Sequence, residues 1–264
     1  MDFFRGRGAK LTLGALVAAL VLTGQALAAD SAVTPSEGPQ PAPTAYNWTG
    51  VYIGANVGGG WGRKNWKFLQ TIPPGCGGIP SCNFDEGDHR VDGWLAGGEI
   101  GFNWQTGGWV FGAEAMADWT DASGRHNNPA AAGNDILKTR IKSLGLLTAR
   151  AGYALDSLLL YGKGGGAWAR DKYERAFGNS VFGPPGTVFS VASETRWGGT
   201  VGAGVEYGFA QNWSAGLEYD YVHLGTRRVR FKTVGQPTFS PFLDEDIRQR
   251  LHLLTFRVMY RFGG

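Results

Sequence analysis

Charge is scarce in this chain. Asp, Glu, Lys and Arg make up 18% of its 264 residues, and the formal net charge is +3. Nucleic-acid partners demand a clear basic excess, so that class is excluded. Cysteine is nearly absent, with two residues, and methionine has three. Past the N-terminal region no run reaches the roughly eighteen apolar residues of a spanning helix. Residence in a membrane would then require a closed barrel.

Glycine and aromatic residues are abundant instead. There are 43 Gly, 10 Trp, 9 Tyr and 15 Phe, against a usual glycine share of about 7%. No glycine recurs at every third position, which excludes a collagen-like helix. Disordered chains are poor in aromatics, and this one is not. What remains is an all-β chain.

The N-terminus reads as a processing segment. Arg5, Arg7 and Lys10 precede an apolar run from Leu11 to Leu22, and Ala26-Leu27-Ala28 has the small-x-small cleavage pattern. Residues 1–28 are therefore expected to be an export signal. The run is too short to span as a helix, and losing the segment leaves the remainder close to neutral. Residues 29–45 are rich in Pro, Ala and Ser and read as a flexible or polyproline-like tether. Residues 46–264 are left to fold. Cys76 and Cys82 lie in a Pro/Gly-rich stretch, where an exported protein is expected to form a disulfide. A metal site there would need two more ligands, and only His89 offers itself.

Eight segments alternate with period two, the pattern of strands. The second puts Trp94, Ala96, Gly98, Ile100, Phe102 and Trp104 on one face, and Leu95, Gly97, Glu99, Gly101 and Asn103 on the other. The third sets Trp109, Phe111, Ala113, Ala115, Ala117 and Trp119 against Val110, Gly112, Glu114, Met116 and Asp118. The other six begin at Val51, Leu147, Leu158, Trp197, Trp213 and Leu254. Short connections near 105–108, 155–157 and 210–212 alternate with long polar ones near 64–90, 122–139, 170–194 and 226–246.

The aromatics fix the solvent. Trp94 and Trp104 are ten residues apart on one face, as are Trp109 and Trp119. Ten residues at about 3.3 Å each, tilted about 45°, rise roughly 23 Å, close to the ~25 Å apolar band of outer-membrane barrels. These residues are expected to form two interfacial girdles with Trp61, Tyr153, Trp168, Trp197, Phe209, Trp213, Tyr221 and Phe262. The opposite face collects Glu99, Glu114, Arg150, Lys163, Arg196, Glu206, Glu218 and Arg257. A soluble barrel is apolar inside and polar outside, and this pattern is the reverse. The expected fold is an all-β, eight-stranded antiparallel up-and-down transmembrane β-barrel.

Three blocks carry a resemblance: Tyr46-Asn47-Trp48-Thr49-Gly50-Val51-Tyr52-Ile53-Gly54, Leu159-Leu160-Tyr161-Gly162-Lys163-Gly164-Gly165, and Val201-Gly202-Ala203-Gly204-Val205-Glu206-Tyr207. The chain resembles the opacity-like, porin-like outer membrane immunogenic proteins of alphaproteobacteria, and the spacing of these blocks covers the mature chain. The resemblance implies an eight-stranded barrel of the OmpA type in the cell outer membrane. It also implies roles in envelope integrity and surface display, with haem binding or weak porin activity in some members. Such chains usually end on Phe, read by the barrel assembly machinery, whereas here Gly263-Gly264 follow Phe262.

Eight strands leave an interior only wide enough for side chains, so the inward charges must pair. They are expected to plug the lumen and stabilise the barrel; the alternative is a narrow path for ions or small solutes. Glu206 and Glu218 are expected to face one another, with Arg150, Lys163 or Arg257 between them. The glycine run at 162–166 lacks the strand-loop-helix setting and Ser/Thr of a phosphate loop. His89 and His126 are expected in long loops, where paired histidines could ligate haem iron. No nucleophile–base set is visible, so the chain is expected not to be an enzyme and to need no cofactor. Arg248 and Arg250 project from the outer end of the eighth segment on the lipid side, with Arg227, Arg228 and Arg230 nearby, and are expected to contact lipopolysaccharide phosphates. The expected partners are outer-membrane lipid and lipopolysaccharide, the assembly machinery, and host or surface ligands of the loops.

Overall fold

The computed structural model describes residues 46–70, 82–128, 135–179, 183–234 and 242–263. The expected signal (1–28), the tether (29–45) and Cys76 of the expected Cys76–Cys82 disulfide lie outside the described residues. The described chain is a ring of nine strands: β1 (Gly50–Gln70), β2 (Cys82–Thr106), β3 (Trp109–Thr120), β4 (Ser123–Asn127), β5 (Ile136–Leu155), β6 (Leu158–Ala176), β7 (Val188–Ala210), β8 (Trp213–Thr233) and β9 (Phe242–Phe262). All pairings are antiparallel. The ring closes through β1, where Ile53 lies opposite Ile100 of β2 and Tyr260 of β9.

Nine strands replace the eight expected because one segment is broken. β3 and β4 both stand between β2 and β5, separated by Asp121 and Ala122. Side chains join the backbone bonds at the break, where Asp121 N–H still donates to the Trp94 carbonyl at 3.3 Å. The Trp94 N–H donates to Asp121 Oδ1 at 2.9 Å, and Thr120 Oγ1 donates to the Trp94 carbonyl at 2.9 Å. Such local side-chain bonds compete with regular pairing.

The strands are also longer than expected. The stretches read as long polar connections are mostly strand: β1 runs on to Gln70 and β6 to Ala176, and β9 begins at Phe242. Alternation persists there, but the outward residues become charged, as in Arg63, Lys67, Lys172 and Arg250. A charged outward face hides a strand from a search for apolar alternation. His89 and His126, expected in loops, sit within β2 and β4 for this reason.

The two faces differ in character. Trp94, Trp104, Trp109, Trp119 and Trp197 are all more than half exposed, Trp119 by 73%. Trp61, Tyr153, Phe209, Trp213 and Phe262 are also exposed on the outer face. Trp168 and Tyr221 are half-buried there, Trp168 because its indole lies over Gly145. At the short-turn end the rings join up, with Trp109 edge-on to Tyr153 at 5.5 Å and Trp213 to Tyr260 at 5.1 Å. An apolar surface this continuous marks contact with something other than water.

Glycine makes room for the interior. A Cβ at Gly101 would fall on the Tyr52 ring, one at Gly112 on Asn103, and one at Gly204 on the Tyr161 hydroxyl. Outward Gly166, by contrast, has nothing near its Cβ position. Gly101→Ala is therefore expected to lose about 1–3 kcal/mol by overpacking, while Gly166→Ala stays within about 0.5 kcal/mol. Urea unfolding followed by tryptophan fluorescence checks the pair, and equal losses would contradict this reading.

Candidate functional site

The interior of the ring is the distinctive site, and it is built in layers. Inward residues of β6 read, from the short-turn end, Leu159, Tyr161, Lys163, Gly165, Ala167, Ala169, Asp171, Tyr173 and Arg175. Those of β9 read Arg261, Met259, Arg257, Thr255, Leu253, Leu251, Gln249, Ile247 and Glu245. Both strands pass from aromatic or cationic, to charged, to apolar, to charged again.

The floor packs Tyr46, Trp48, Val110 and Leu159 together. Arg261 lies over Trp48 at 5.0 Å and Tyr46 at 5.5 Å, and donates to the Trp48 carbonyl at 2.9 Å.

Above it sits the charge belt. Arg257 binds Glu99 at 2.7 Å, reaches Glu114 and Glu218, and donates to the Tyr161 hydroxyl at 3.0 Å. Lys163 lies 2.5 Å from Glu218, 3.2 Å from Glu114 and 3.5 Å from Asp220. Arg150 donates to Asn103 at 2.8 Å and to Glu206 at 3.3 Å. The Tyr52 and Tyr161 hydroxyls donate to Glu114 and Glu218, each at 2.7 Å. Every strand but β4 contributes, so the belt ties the ring across its interior. Arg257 is 0% exposed and Glu218 1%.

The third layer is apolar: Leu95, Met116, Ile141, Leu144, Leu251 and Leu253 pack with smaller neighbours. Its cavity, beside Gly60, Ala122 and Leu144, has a volume of about 20 Å³, room for a single water. This layer stands level with Trp61, Trp94, Trp119 and Trp197.

Two polar layers follow beyond this row of outward tryptophans. Lys64 and Arg196 grip Asp171 at 3.0 and 3.3 Å, and Tyr173 donates to Asp171 at 2.8 Å. Burial pushes the Lys64 ammonium down to about 8, against the pull of Asp171. Next, Trp66, Leu137, Val229, Phe231 and Ile247 pack around Tyr173. Arg175 then joins Glu86 at 3.2 Å and Glu245.

Seven of the eight expected interior charges form the belt. Arg196 is inward but belongs to the Lys64–Asp171 layer, two turns of the alternation further out. Glu206 and Glu218 do not face one another: Glu206 pairs in register with Gly216 and Glu218 with Gly204. Arg150 and Arg261 serve Glu206, while Lys163 and Arg257 serve Glu218. Arg261, Lys64, Asp171, Arg175 and Glu245 were not among the expected set. The inward parity of their strands, carried past the apolar band, would have found them.

His89 and His126 are neighbours, with their Nδ1 atoms 2.7 Å apart. Their bonds define the tautomers. His126 Nε2 faces the Glu86 carbonyl at 3.0 Å and must carry a proton, so its Nδ1 accepts from His89 Nδ1–H. His89 Nε2 then accepts from Thr139 Oγ1 at 3.1 Å. Burial first, then His126 and Lys64, hold His89 down to about 3. Arg248 and Arg250 are exposed on the outer wall of β9, beyond Trp61 and His252. Their neighbours Arg228 and Arg230 pair with Asp246 at 3.3 Å and Asp244 at 3.1 Å.

The sequence is similar to known proteins over most of its length. The family model for the outer membrane protein beta-barrel domain matches residues 15–262. The 31 kDa outer-membrane immunogenic protein of Brucella melitensis is 31% identical over 232 residues, covering 83% of this chain and 89% of that protein. The 25 kDa outer-membrane immunogenic protein of Brucella abortus is 27% identical, covering 88% and 93%. Among solved structures, the outer membrane protease OmpT of Escherichia coli superposes with a TM-score of 0.51 at 9% identity, covering 83% of this chain and 98% of that one. That likeness is one of fold alone.

Two outcomes follow from the geometry. Arg257→Met strands buried Glu99 and removes one cation each from Glu114 and Glu218, which keep Lys163, and should cost about 3–5 kcal/mol, read by urea unfolding; a loss under about 1 kcal/mol would contradict the belt's role. His89 takes its proton far lower folded than unfolded. Below about pH 6.5 the unfolded chain binds the extra proton, so stability should fall as pH drops from 6.5 toward 4, by on the order of 2–3 kcal/mol from this group. His89→Gln should flatten that part of the slope, and an unchanged slope would refute it.

Proposed function

We propose the function of this chain from its membership: it belongs to the outer membrane protein beta-barrel domain family, among the alphaproteobacterial outer-membrane immunogenic proteins, and it resides in the outer membrane. It is not an enzyme. It works as an eight-stranded up-and-down transmembrane barrel, with β3 and β4 forming one broken wall strand. Residues 1–28 direct export, and 29–45 tether the barrel on the periplasmic side, where the short turns lie. The Cys76–Cys82 disulfide closes a loop on the other side. The barrel assembly machinery inserts it.

The role is structural and interactive: a plugged barrel that stiffens the envelope and displays its outward strands and loops to surface or host ligands. One observation carries this reading, the stacking of a charge belt and an apolar layer across the same interior. A porin needs a wet path, and dewetted apolar constrictions close pores. Haem is disfavoured because all four ring nitrogens of His89 and His126 are already engaged, which leaves iron no free lone pair. Arg248 and Arg250 serve as lipopolysaccharide contacts on the β9 wall.

Planar bilayers test the plug against the narrow porin. Wild-type protein should give no discrete conductance steps. Arg150→Ala/Arg257→Ala should stay closed, because the apolar layer still seals. Adding Leu95→Ser, Leu251→Ser and Leu253→Ser should open it. Steps from wild-type protein would favour the porin.

A further inference from the structure

The outer wall of β4, β5 and β6 carries a second cationic surface, opposite β9 in the ring. Arg125, Lys138, Arg140, Lys142, Arg170 and Lys172 all point outward there. The one acid among them, Glu174, is paired with Lys172 at 3.2 Å. Four of the cations line a groove of about 330 Å³, floored by Ser123, Gly124 and Thr139.

Register makes this surface unusual. Arg125 of β4 lies directly opposite Lys138 of β5, and Arg140 of β5 directly opposite Lys172 of β6. Like charges opposed across a ladder are destabilising. On the β8–β9 wall the same rows are filled by opposite charges, Arg228 with Asp246 and Arg230 with Asp244. The β8–β9 pairs neutralise one another, whereas the groove sets one acid, Glu174, opposite Lys138 and paired with Lys172, against four cations and so keeps a cationic excess for an anion from outside.

Height identifies that anion. Arg170 follows Trp168 by two residues on the same face, and Ser143, beside Lys142, lies opposite Trp119. Lys172 is four residues past Trp168, roughly 9 Å further from the apolar band for a strand tilted about 45°. Aromatic girdles sit at headgroup level, so the cations start where phosphates of an outer-leaflet lipid lie. Guanidinium and ammonium groups suit phosphate oxygens, Arg by paired hydrogen bonds.

We propose that the β4–β6 groove binds the phosphates of lipopolysaccharide, with Arg125, Lys138, Arg140 and Lys172 as its ligands. This rests on the outer-membrane barrel reading and adds a site distinct from Arg248 and Arg250.

The test compares lipopolysaccharide retained by protein purified from outer membranes, quantified by native mass spectrometry. Lys138→Gln/Arg140→Gln/Lys172→Gln should retain at least about threefold less than wild type, while Arg228→Gln/Arg230→Gln should match wild type. Wild-type protein should also bind vesicles of intact lipid A at least about threefold more tightly than vesicles of dephosphorylated lipid A. Equal retention by the triple variant, equal binding to the two vesicles, or equally tight binding of free pyrophosphate would overturn the proposal. The vesicle comparison needs no variant, so it stands if the triple variant fails to fold. Outer-membrane fractionation and heat-modified gel mobility of wild-type protein report on the barrel reading itself. Their failure would sink that reading, whereas their success with equal binding would sink only the groove.

Discussion

A ring of this size has an interior that side chains must fill, and the charges placed there must find partners. That single constraint orders the rest of the structure. Arg257 could not be fully buried without Glu99, Glu114 and Glu218 around it, because an unpaired charge in so dry a site is prohibitive. The belt adds little net free energy beyond what an apolar filling would give. Its consequence is geometric: it fixes eight strands to one another across the ring, as a wall ladder alone cannot.

Glycine follows from the same constraint. Long inward side chains occupy the space that neighbouring inward positions would need, and Gly101, Gly112 and Gly204 yield it to Tyr52, Asn103 and Tyr161. Glycine weakens a strand's intrinsic preference. Continuous pairing around a closed ring and the interior ties offset that loss. The apolar layer at Leu95, Leu144 and Leu253 then stands between the belt and the Lys64–Asp171–Arg196 cluster.

Much of this was legible in the sequence, for a physical reason. Where one face meets lipid and the other the interior, the two faces differ sharply, and period-two reading recovers Trp94 to Trp104 and Trp109 to Trp119 with their inward partners. Past the girdle the outside is water and both faces turn polar. The contrast vanishes, so Lys64, Asp171, His89 and Arg175 looked like loop residues. Register was also out of reach. The pairing sets Glu206 against Gly216, two residues short of Glu218, and nothing in the residue types announces it. The break at Asp121 and Ala122 comes with two side-chain bonds to Trp94, a long-range contact that a local pattern does not encode. The strand-end position of Arg248 and Arg250 is readable from the sequence, whereas the opposition of Arg140 to Lys172 and of Arg228 to Asp246 needs the pairing.

A plugged barrel keeps water from the space between the charge belt and the apolar layer. Thr255 lies there, 0% exposed. The direct measurement is thiol labelling of Thr255→Cys, in a chain with Cys76 and Cys82 replaced by Ser, folded in liposomes and exposed to a small charged methanethiosulfonate on each side. No labelling from either side until denaturant is added is the expected result. Rapid labelling of the folded protein from either side would contradict it.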